Sequence, residues 1–397
     1  MLPIKEGAKI NQPKILIIPH TSTTNVKVRA LELAKGLVEE YEIFYLTCGQ
    51  REGEEFTTKI KYAFSELLRT TSSWKEGQIT FVRLPTLYRP FFLVKYFNRF
   101  FLKRLIKRYS FDLVYSSSSY LFSFPANVSV PYVFDLADDH AAGCEIKNPR
   151  QAEYIRKFTE AEISRASCLT AISESLQRLL KERYRRESVL IPNGADIKAY
   201  SSVKLAQTEE LKGEFGLSDR CVIGAIGNHG QWSGLEFLIR VFQAFKKEMP
   251  ESSLFIVGPG SEVERLAPLF ENDADIVFTG PKAPEEMPVY FSAVDVGVLP
   301  FDVNKFTNSA IPIKIIEYSA ARKPVVSTPL EGIKSLGFQN VFLAEQEIEP
   351  WIVALKKAMQ STWKEEWDKF IVNYDWSRIV ETLKNKVFRK LAGRNRG

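Results

Sequence analysis

Lys314 and Glu317 are the residues whose types and spacing most directly suggest chemistry. They lie in the stretch Asn308–Thr328, NSAIPIKIIEYSAARKPVVST, which reads as a loop, a short helix over Pro312–Ala321 and a buried strand over Val325–Ser327. Proline near a helix start costs little, because the N–H it lacks would have no partner there. The first amides of such a helix are free donors with partial positive charge, and they suit a phosphate. Three residues apart, Lys314 and Glu317 share one helix face, the cation near the start and the carboxylate one turn deeper. A nucleotide offers a pyrophosphate beside a ribose diol, and these two features match it. The competing reading of Glu317 is a solvated helix glutamate, the usual place of that residue type.

A second constellation is Asp138-Asp139-His140, which follows the apolar run Tyr132–Leu136. Crevices outside strand ends are where open α/β sheets bind ligands. Two carboxylates beside one of only three histidines could share a proton, hold a metal, or cap the next helix. A third is the loop Gly227-Asn228-His229-Gly230 between an apolar strand and a helix, which is either a phosphate-facing loop or a plain turn.

The elements that must position these residues form two strand–helix series. The first has short apolar runs at Ile15–Ile18, Ile43–Leu46, Ile79–Leu84, Leu113–Ser116, Tyr132–Leu136, Cys168–Ala171 and Val189–Ile191, with an amphipathic helix near Val26–Glu39. The second has Cys221–Ile226, Leu254–Val257, Ile276–Thr279, Val296–Leu299, Val325–Ser327 and Val341–Leu343, with helices between. Continuous apolar strands of this length suit parallel sheets covered on both faces. The polar span Ala195–Arg220 separates the series, so the expectation is α/β with two doubly wound, Rossmann-like domains. Their bounds are 1–200 and 201–375, with a C-terminal helix or tail over 376–397.

The chain has 397 residues, 45% hydrophobic and 26% charged, the balance of a soluble globular protein. Met1–Gln12 lacks the apolar core of a secretory signal, and no apolar run reaches membrane-spanning length. Four scattered cysteines form no CxxC pair and read as thiols of a reducing cytosol. The net charge of +6 is uneven: residues 1–110 hold 19 Lys+Arg against 10 Asp+Glu, and 388–397 hold 4 basic and no acidic residues. That asymmetry points to an anionic partner surface.

The segment around Glu317 resembles the donor-binding element of the retaining glycosyltransferases of the GT-B fold, the "group 1" family or family 4. That pattern runs Glu, seven residues, Glu, then a small-residue helix and a Pro-Val-Val-like strand. Glu317 stands at the second Glu, whose family role is to hold the ribose hydroxyls. Ser309, beside Asn308, stands where the first Glu would contact the donor sugar. The resemblance runs over roughly residues 13–375. It includes Ser173-Glu174-Ser175, Pro192-Asn193-Gly194-Ala195-Asp196, Phe278-Thr279-Gly280 and Ala293-Val294-Asp295.

It implies two domains facing a central cleft, with the nucleotide-sugar held mainly by the second. Gly280, Pro281 and Lys282 are then candidates for the base pocket. Gly227, Asn228 and His229 are candidates for the diphosphate site, with Asn228 where relatives carry Arg and Ser233-Gly234 where they carry Lys-Gly. Lys314, His229 and the helix amides are expected to substitute for the two missing cations. Asp138, Asp139 and His140 become the catalytic candidates, positioning the acceptor hydroxyl and the donor sugar, with His140 able to take or share a proton. No metal and no cofactor beyond a UDP- or GDP-linked donor is implied. Catalysis with retention uses the leaving phosphate to help deprotonate the acceptor. Arg29, on the first helix, has a surface salt bridge as its default.

The span Gly77–Phe111 holds eight basic residues and no acid, with nine aromatics from Tyr88 onward. A helix over Phe91–Lys107 there would be partly buried, with its remainder a solvated rim or an anionic membrane contact through Phe91, Phe92, Phe97 and Phe101. Nucleic acid is the less favoured partner, since no recognition signature accompanies the basic run. The expectation is a cytoplasmic transferase, peripheral on the membrane face, acting on a lipid-linked or glycan acceptor. A non-catalytic relative of the same fold, either a partner subunit or a sugar-nucleotide binder, is the rival.

Overall fold

The computed structural model describes residues 12–20, 29–47, 69–88, 91–117, 121–144, 148–304, 307–308 and 311–394. In the N-terminal half the strands are β1 (Lys14–Ile18), β2 (Glu42–Thr47), β3 (Ser72–Glu76), β4 (Ile79–Arg83), β5 (Leu113–Ser117), β6 (Tyr132–Leu136), β7 (Cys168–Ala171) and β8 (Val189–Leu190). They form one sheet in the order β3-β4-β2-β1-β5-β6-β7-β8. Every pairing is parallel except β3 with β4. Central β5 and β6 are buried along their whole length, which is why their sequences, LVYSS and YVFDL, show no polar alternation.

The C-terminal half has β9 (Cys221–Ile226), β10 (Ser252–Val257), β11 (Ile276–Phe278), β12 (Val296–Leu299), β13 (Val325–Ser327) and β14 (Val341–Leu343). This second sheet is wholly parallel, in the order β11-β10-β9-β12-β13-β14. Both orders reverse direction at a central strand, and such switch points leave a crevice at the strands' carboxyl ends.

β3 is the strand that apolar patterning does not reveal. It is polar and exposed throughout, and it exists because the Gly77 turn (φ 57°) folds it antiparallel onto β4. There Trp74 stacks on Phe81 at 5.7 Å. The span between the sheets is not an open linker. It carries two helices, Ile197–Ser201 and Leu205–Glu214, whose Tyr200 and Leu211 are buried.

Helix α1 (Arg29–Leu37) buries Ala30, Leu33, Ala34 and Leu37, one face at helical spacing. Against it packs a helix from the far end of the chain, Trp376–Leu383, which buries Trp376, Ile379, Val380 and Leu383 in the same cluster as β1 and β2. The two chain crossings between the halves run side by side. The Ala195 amide donates to the Tyr374 carbonyl (2.9 Å) and the Trp376 amide to the Ala195 carbonyl (3.2 Å). A Cβ at Gly194 would lie 2.7 Å from the Tyr374 carbonyl oxygen, so the Asn-Gly at this junction permits close packing of the crossings as well as a turn.

Candidate active site

The carboxyl ends of the two sheets face one another across a cavity of ≈ 270 Å³. Its C-terminal wall is built from the loop after β9 (Gly227, Asn228, His229, Trp232, Ser233), the end of β12 (Leu299, Pro300, Phe301) and the helix start at Pro312, Ile313 and Lys314. Asp138 reaches it from the N-terminal domain.

Helix α2 (Ile313–Ala320) follows Pro312. Lys314 lines the cavity, and its Nζ donates to Glu317 Oε2 (2.7 Å) while lying 5.3 Å from the centre of the Phe291 ring. Glu317 is 5% exposed and sits one turn behind, its Oε1 accepting from Tyr200 Oη (2.8 Å). The solvated-glutamate alternative therefore does not apply. Next to it, Tyr318 Oη donates to the Gly224 carbonyl (2.6 Å) and accepts from the Ile226 amide (3.0 Å), pinning the helix to the end of β9.

Backbone lies on backbone under this wall. A Cβ at Gly258 would fall 2.0 Å from the Gly227 carbonyl oxygen, and one at Gly260 would fall 2.3 Å from that of His229. Both glycines have positive φ, so their loop can lie directly beneath the β9 loop. His229 is locked into this layer, its amide donating to the Pro259 carbonyl (2.8 Å) and its Nε2 lying 3.2 Å from the Val257 carbonyl. Burial pushes its imidazole down to about 4, so it is neutral near pH 7. His229 therefore cannot replace a missing cation, and among the described residues lining the cavity Lys314 is the one cation.

The base-pocket candidates do not reach the cavity. Gly280 accepts from the Gly258 amide (3.0 Å), which places its loop beside the glycine layer. Lys282 turns away, its ammonium over the rings of Phe215 and Tyr290 at 5.4 and 5.6 Å, and Pro281 is exposed and does not line the cavity. Asn308 also lies elsewhere: its side-chain oxygen accepts from the Glu331 amide (3.0 Å) on the rim of a separate groove. Ser309 lies outside the described residues. Thr307, Trp232 and Phe301 line the cavity instead, the two rings edge to face at 5.1 Å.

On the N-terminal side the three catalytic candidates separate. Asp138 faces the cavity. Asp139 caps helix α3 (His140–Cys144), its Oδ1 accepting from the Ala142 amide (3.2 Å). The His140 ring lies 5.9 Å from that of His20, and its Nε2 is 4.0 Å from Asp138 Oδ2. Burial, and then His20, push His140 down to about 3, so it is a poor proton acceptor at neutral pH. Asp138 is instead the carboxyl that titrates nearer neutrality, since burial and then the nearby Asp135 carboxylate push it up to about 7. Its side chain keeps 31% of its surface open to the cleft, so solvent moderates that shift.

Beneath these residues lies a buried ion pair. Arg29 Nε and Nη2 donate to Asp135 Oδ2 (2.9 Å) and Oδ1 (3.2 Å), and Arg29 also donates to the carbonyls of Ile191 and Pro192, each at 2.6 Å. Thr170 and Ser117 hydroxyls donate to the same carboxylate at 2.7 and 3.1 Å. Burial alone would raise the Asp135 carboxyl, but Arg29 and these hydrogen bonds hold it below the usual range. Arg29 is 6% exposed, not at the surface, and it clamps α1 and β6 to the domain junction.

Two family models match the chain. One, "Glycosyltransferase Family 4", covers residues 26–199, and the other, "Glycosyl transferases group 1", covers 220–361. TuaH of Bacillus subtilis (strain 168), whose name provisionally places it as a glycosyltransferase of teichuronic acid biosynthesis, is 27% identical over 273 residues. That alignment covers 63% of this chain and 65% of TuaH, so the chain spans just under two thirds of that relative's length. Among solved structures, sucrose-phosphate synthase from Thermosynechococcus elongatus superposes with a TM-score of 0.74 at 15% identity, over 96% of this chain and 100% of the other. Anabaena HepE in complex with UDP and glucose gives 0.65 at 16%, again over 96% and 100%. At such identities the likeness shows the fold alone. Two facing, mostly parallel sheets, a cavity at their carboxyl ends, and family models that together span well over half of the sequence place this chain in the group 1 (family 4) glycosyltransferases of the GT-B fold.

Proposed function

We propose that the chain transfers a sugar from a UDP- or GDP-linked donor to a lipid-linked or polysaccharide acceptor, with retention of configuration and without a metal ion. The observation that carries this reading is the convergence of Lys314 and the α2 amides from one domain with Asp138 from the other on a single cavity. Lys314 and the free amides at the helix start would neutralise the leaving diphosphate as charge develops on it. Glu317 keeps acceptor capacity beyond Tyr200 and Lys314, since a carboxylate offers about four lone-pair sites, and would take the ribose diol. Asp138, its carboxyl raised above the ordinary range, would orient the acceptor hydroxyl from the opposite wall. The presence of UDP in the HepE complex makes a uridine donor the first to test.

The long helix Phe91–Tyr109 supports a peripheral membrane role. Asn98 is fully buried, donating to the carbonyls of Leu87 (3.0 Å) and Leu121 (2.9 Å), and this fixes the inner face. The outer face exposes Leu93, Tyr96 and Phe100, with Arg104 over the Phe100 ring. Phe97 and Phe101 are only partly exposed and lean on one another, and the side chains of Phe91 and Phe92 lie outside the described residues. The apolar contact is therefore Leu93, Tyr96 and Phe100, ringed by Lys103, Arg104 and Lys107, a composition suited to an anionic interface. No helix among the described residues is long and apolar enough to cross a membrane.

One observation favours a non-catalytic nucleotide binder: Lys314, the one cation among the described residues lining the cavity, is already paired with Glu317. Incubating the full chain with UDP- and GDP-sugars and a panel of lipid-linked and glycan acceptors decides between the readings. Release of nucleoside diphosphate with one donor–acceptor pair is the expected result. Nucleotide binding without release for every pair would point to the binder.

A further inference from the structure

A second concavity, an open groove of ≈ 780 Å³, lies at the domain junction and shares no lining residue with the Lys314 cavity. Arg156 reaches it from the helix Pro149–Arg165, and Arg178 and Arg183 from the helix Glu174–Tyr184. Asn308 and Glu331 of the C-terminal domain close its far side. A small recess connects the two spaces. It contains Asp139, Arg156 and Arg183 from the groove, and Asp138, which also lines the cavity.

The groove also holds three acids, but each has a local partner. Glu153 lies 3.6 Å from Arg156 and 3.3 Å from Lys157, and Glu331 lies 3.0 Å from Lys334. Asp139 caps its helix. Among the described residues Arg178 and Arg183 are in no ion pair, and Arg183 only rests over the Tyr184 ring at 5.5 Å. Two guanidinium groups without a carboxylate, in a concave wall that leads to Asp138, form a receptor for a carboxylate or phosphate.

We propose that this groove is an acceptor subsite, in which Arg178 and Arg183 hold an anionic group of the acceptor while its reacting hydroxyl reaches Asp138. The proposal rests on the transferase reading and adds the chemical class of the acceptor. The anion is either a uronic-acid carboxylate of a glycan or a phosphate of a lipid-linked acceptor.

The test titrates the full chain with hexagalacturonate, farnesyl diphosphate and, as the neutral control, maltohexaose. It is repeated on R178Q/R183Q, on Lys314→Ala and on Lys181→Gln, a neighbouring cation already paired with Glu187. One anionic probe should bind at least tenfold more tightly than maltohexaose. That advantage should vanish in R178Q/R183Q and survive in the other two variants. Preference for hexagalacturonate assigns the site to a glycan carboxylate, and preference for farnesyl diphosphate assigns it to a lipid phosphate. The proposal is overturned by equal binding of all three probes, by full retention in R178Q/R183Q, or by loss in Lys314→Ala alone. Melting curves and circular dichroism confirm that each variant is folded, and Arg178→Gln alone, expected to give a partial loss, serves should the double variant unfold. UDP and GDP titrations on the same samples report on the transferase reading separately, because the arginine pair does not line the nucleotide cavity.

Discussion

On the C-terminal side of the cleft the wall is mostly main chain: stacked glycine loops, a neutral histidine and one lysine at a helix start. On the N-terminal side it is side chains that carry or suppress charge: the Arg29–Asp135 pair, Asp138 pushed up to about 7, and His140 pushed down to about 3. Main-chain donors bind an anion without titrating, so the C-terminal wall should be indifferent to pH over the neutral range. The N-terminal wall should respond to pH, and its stability depends on pairs that fail badly when one partner is removed. The same cleft thus joins a fixed electrostatic cradle to a titrating surface.

The largest effect is expected where that contrast is deepest. Arg29→Met leaves the Asp135 carboxylate buried and uncompensated and should destabilise the fold by about 3–5 kcal/mol. Adding Asp135→Leu should recover part of that loss, because a well-packed apolar pair can replace a buried ion pair. Denaturant melts of the two singles and the double close the cycle. Strict additivity would mean that the pair is not coupled.

Glu317→Gln tests the C-terminal wall. Nucleotide binding should weaken by about 1–3 kcal/mol, the usual effect of losing hydrogen bonds to a charged group. Calorimetric titration with UDP and GDP reads it, and unchanged affinity for both would remove Glu317 from the donor site.

Asp138→Asn addresses the titrating surface. Between the carboxyl's ordinary value of 3.8 and about 7, the folded chain holds a proton here that the unfolded chain has lost. The site's contribution therefore turns against the fold as pH rises through that window, and it remains unfavourable above it. The asparagine variant, which cannot ionise, should be more stable than wild type at pH 8 by ~1–2 kcal/mol after allowing for solvent access, and should converge with it near pH 4. Thermal melts across this range check it. Parallel curves would show that the carboxylate is fully solvated.

The smallest effect concerns the outer edge of the N-terminal domain. Changing Leu93, Tyr96 and Phe100 together to Ser should weaken sedimentation with anionic vesicles roughly tenfold, about 1.4 kcal/mol, and leave nucleotide binding unchanged. Indifference of the wild-type chain to vesicles would make that face a solvated rim.

The same contrast explains what could be read from the sequence. Buried parallel strands announce themselves as short apolar runs, and the C-terminal wall is contiguous over Gly227–His229 and Pro312–Lys314, with Glu317 one turn behind, so local motifs carry it. The N-terminal wall depends on partners far apart in the chain. Arg29 meets Asp135 across 106 residues and the Ile191 carbonyl across 162, and no local pattern marks such a pair. Lys282 and His229 were legible as polar residues at strand ends, but not their fates. One is drawn onto aromatic rings, and the other is buried against a carbonyl. Trp232 and Thr307 carry no local signal that would place them in the cavity. β3 escaped because an exposed edge strand needs no apolar face.

The most direct test of the account is a set of titrations of wild type and Lys314→Ala with UDP, GDP, uridine and guanosine. Lys314 is the cavity's one cation among the described residues, so its loss should weaken the preferred nucleoside diphosphate by about 1.5–3 kcal/mol, the range for hydrogen bonds to charged groups. The matching nucleoside should be affected by less than about threefold, under 0.7 kcal/mol. Equal losses for both ligands, or no loss for either, would contradict the claim that Lys314 holds the diphosphate of a nucleotide-sugar.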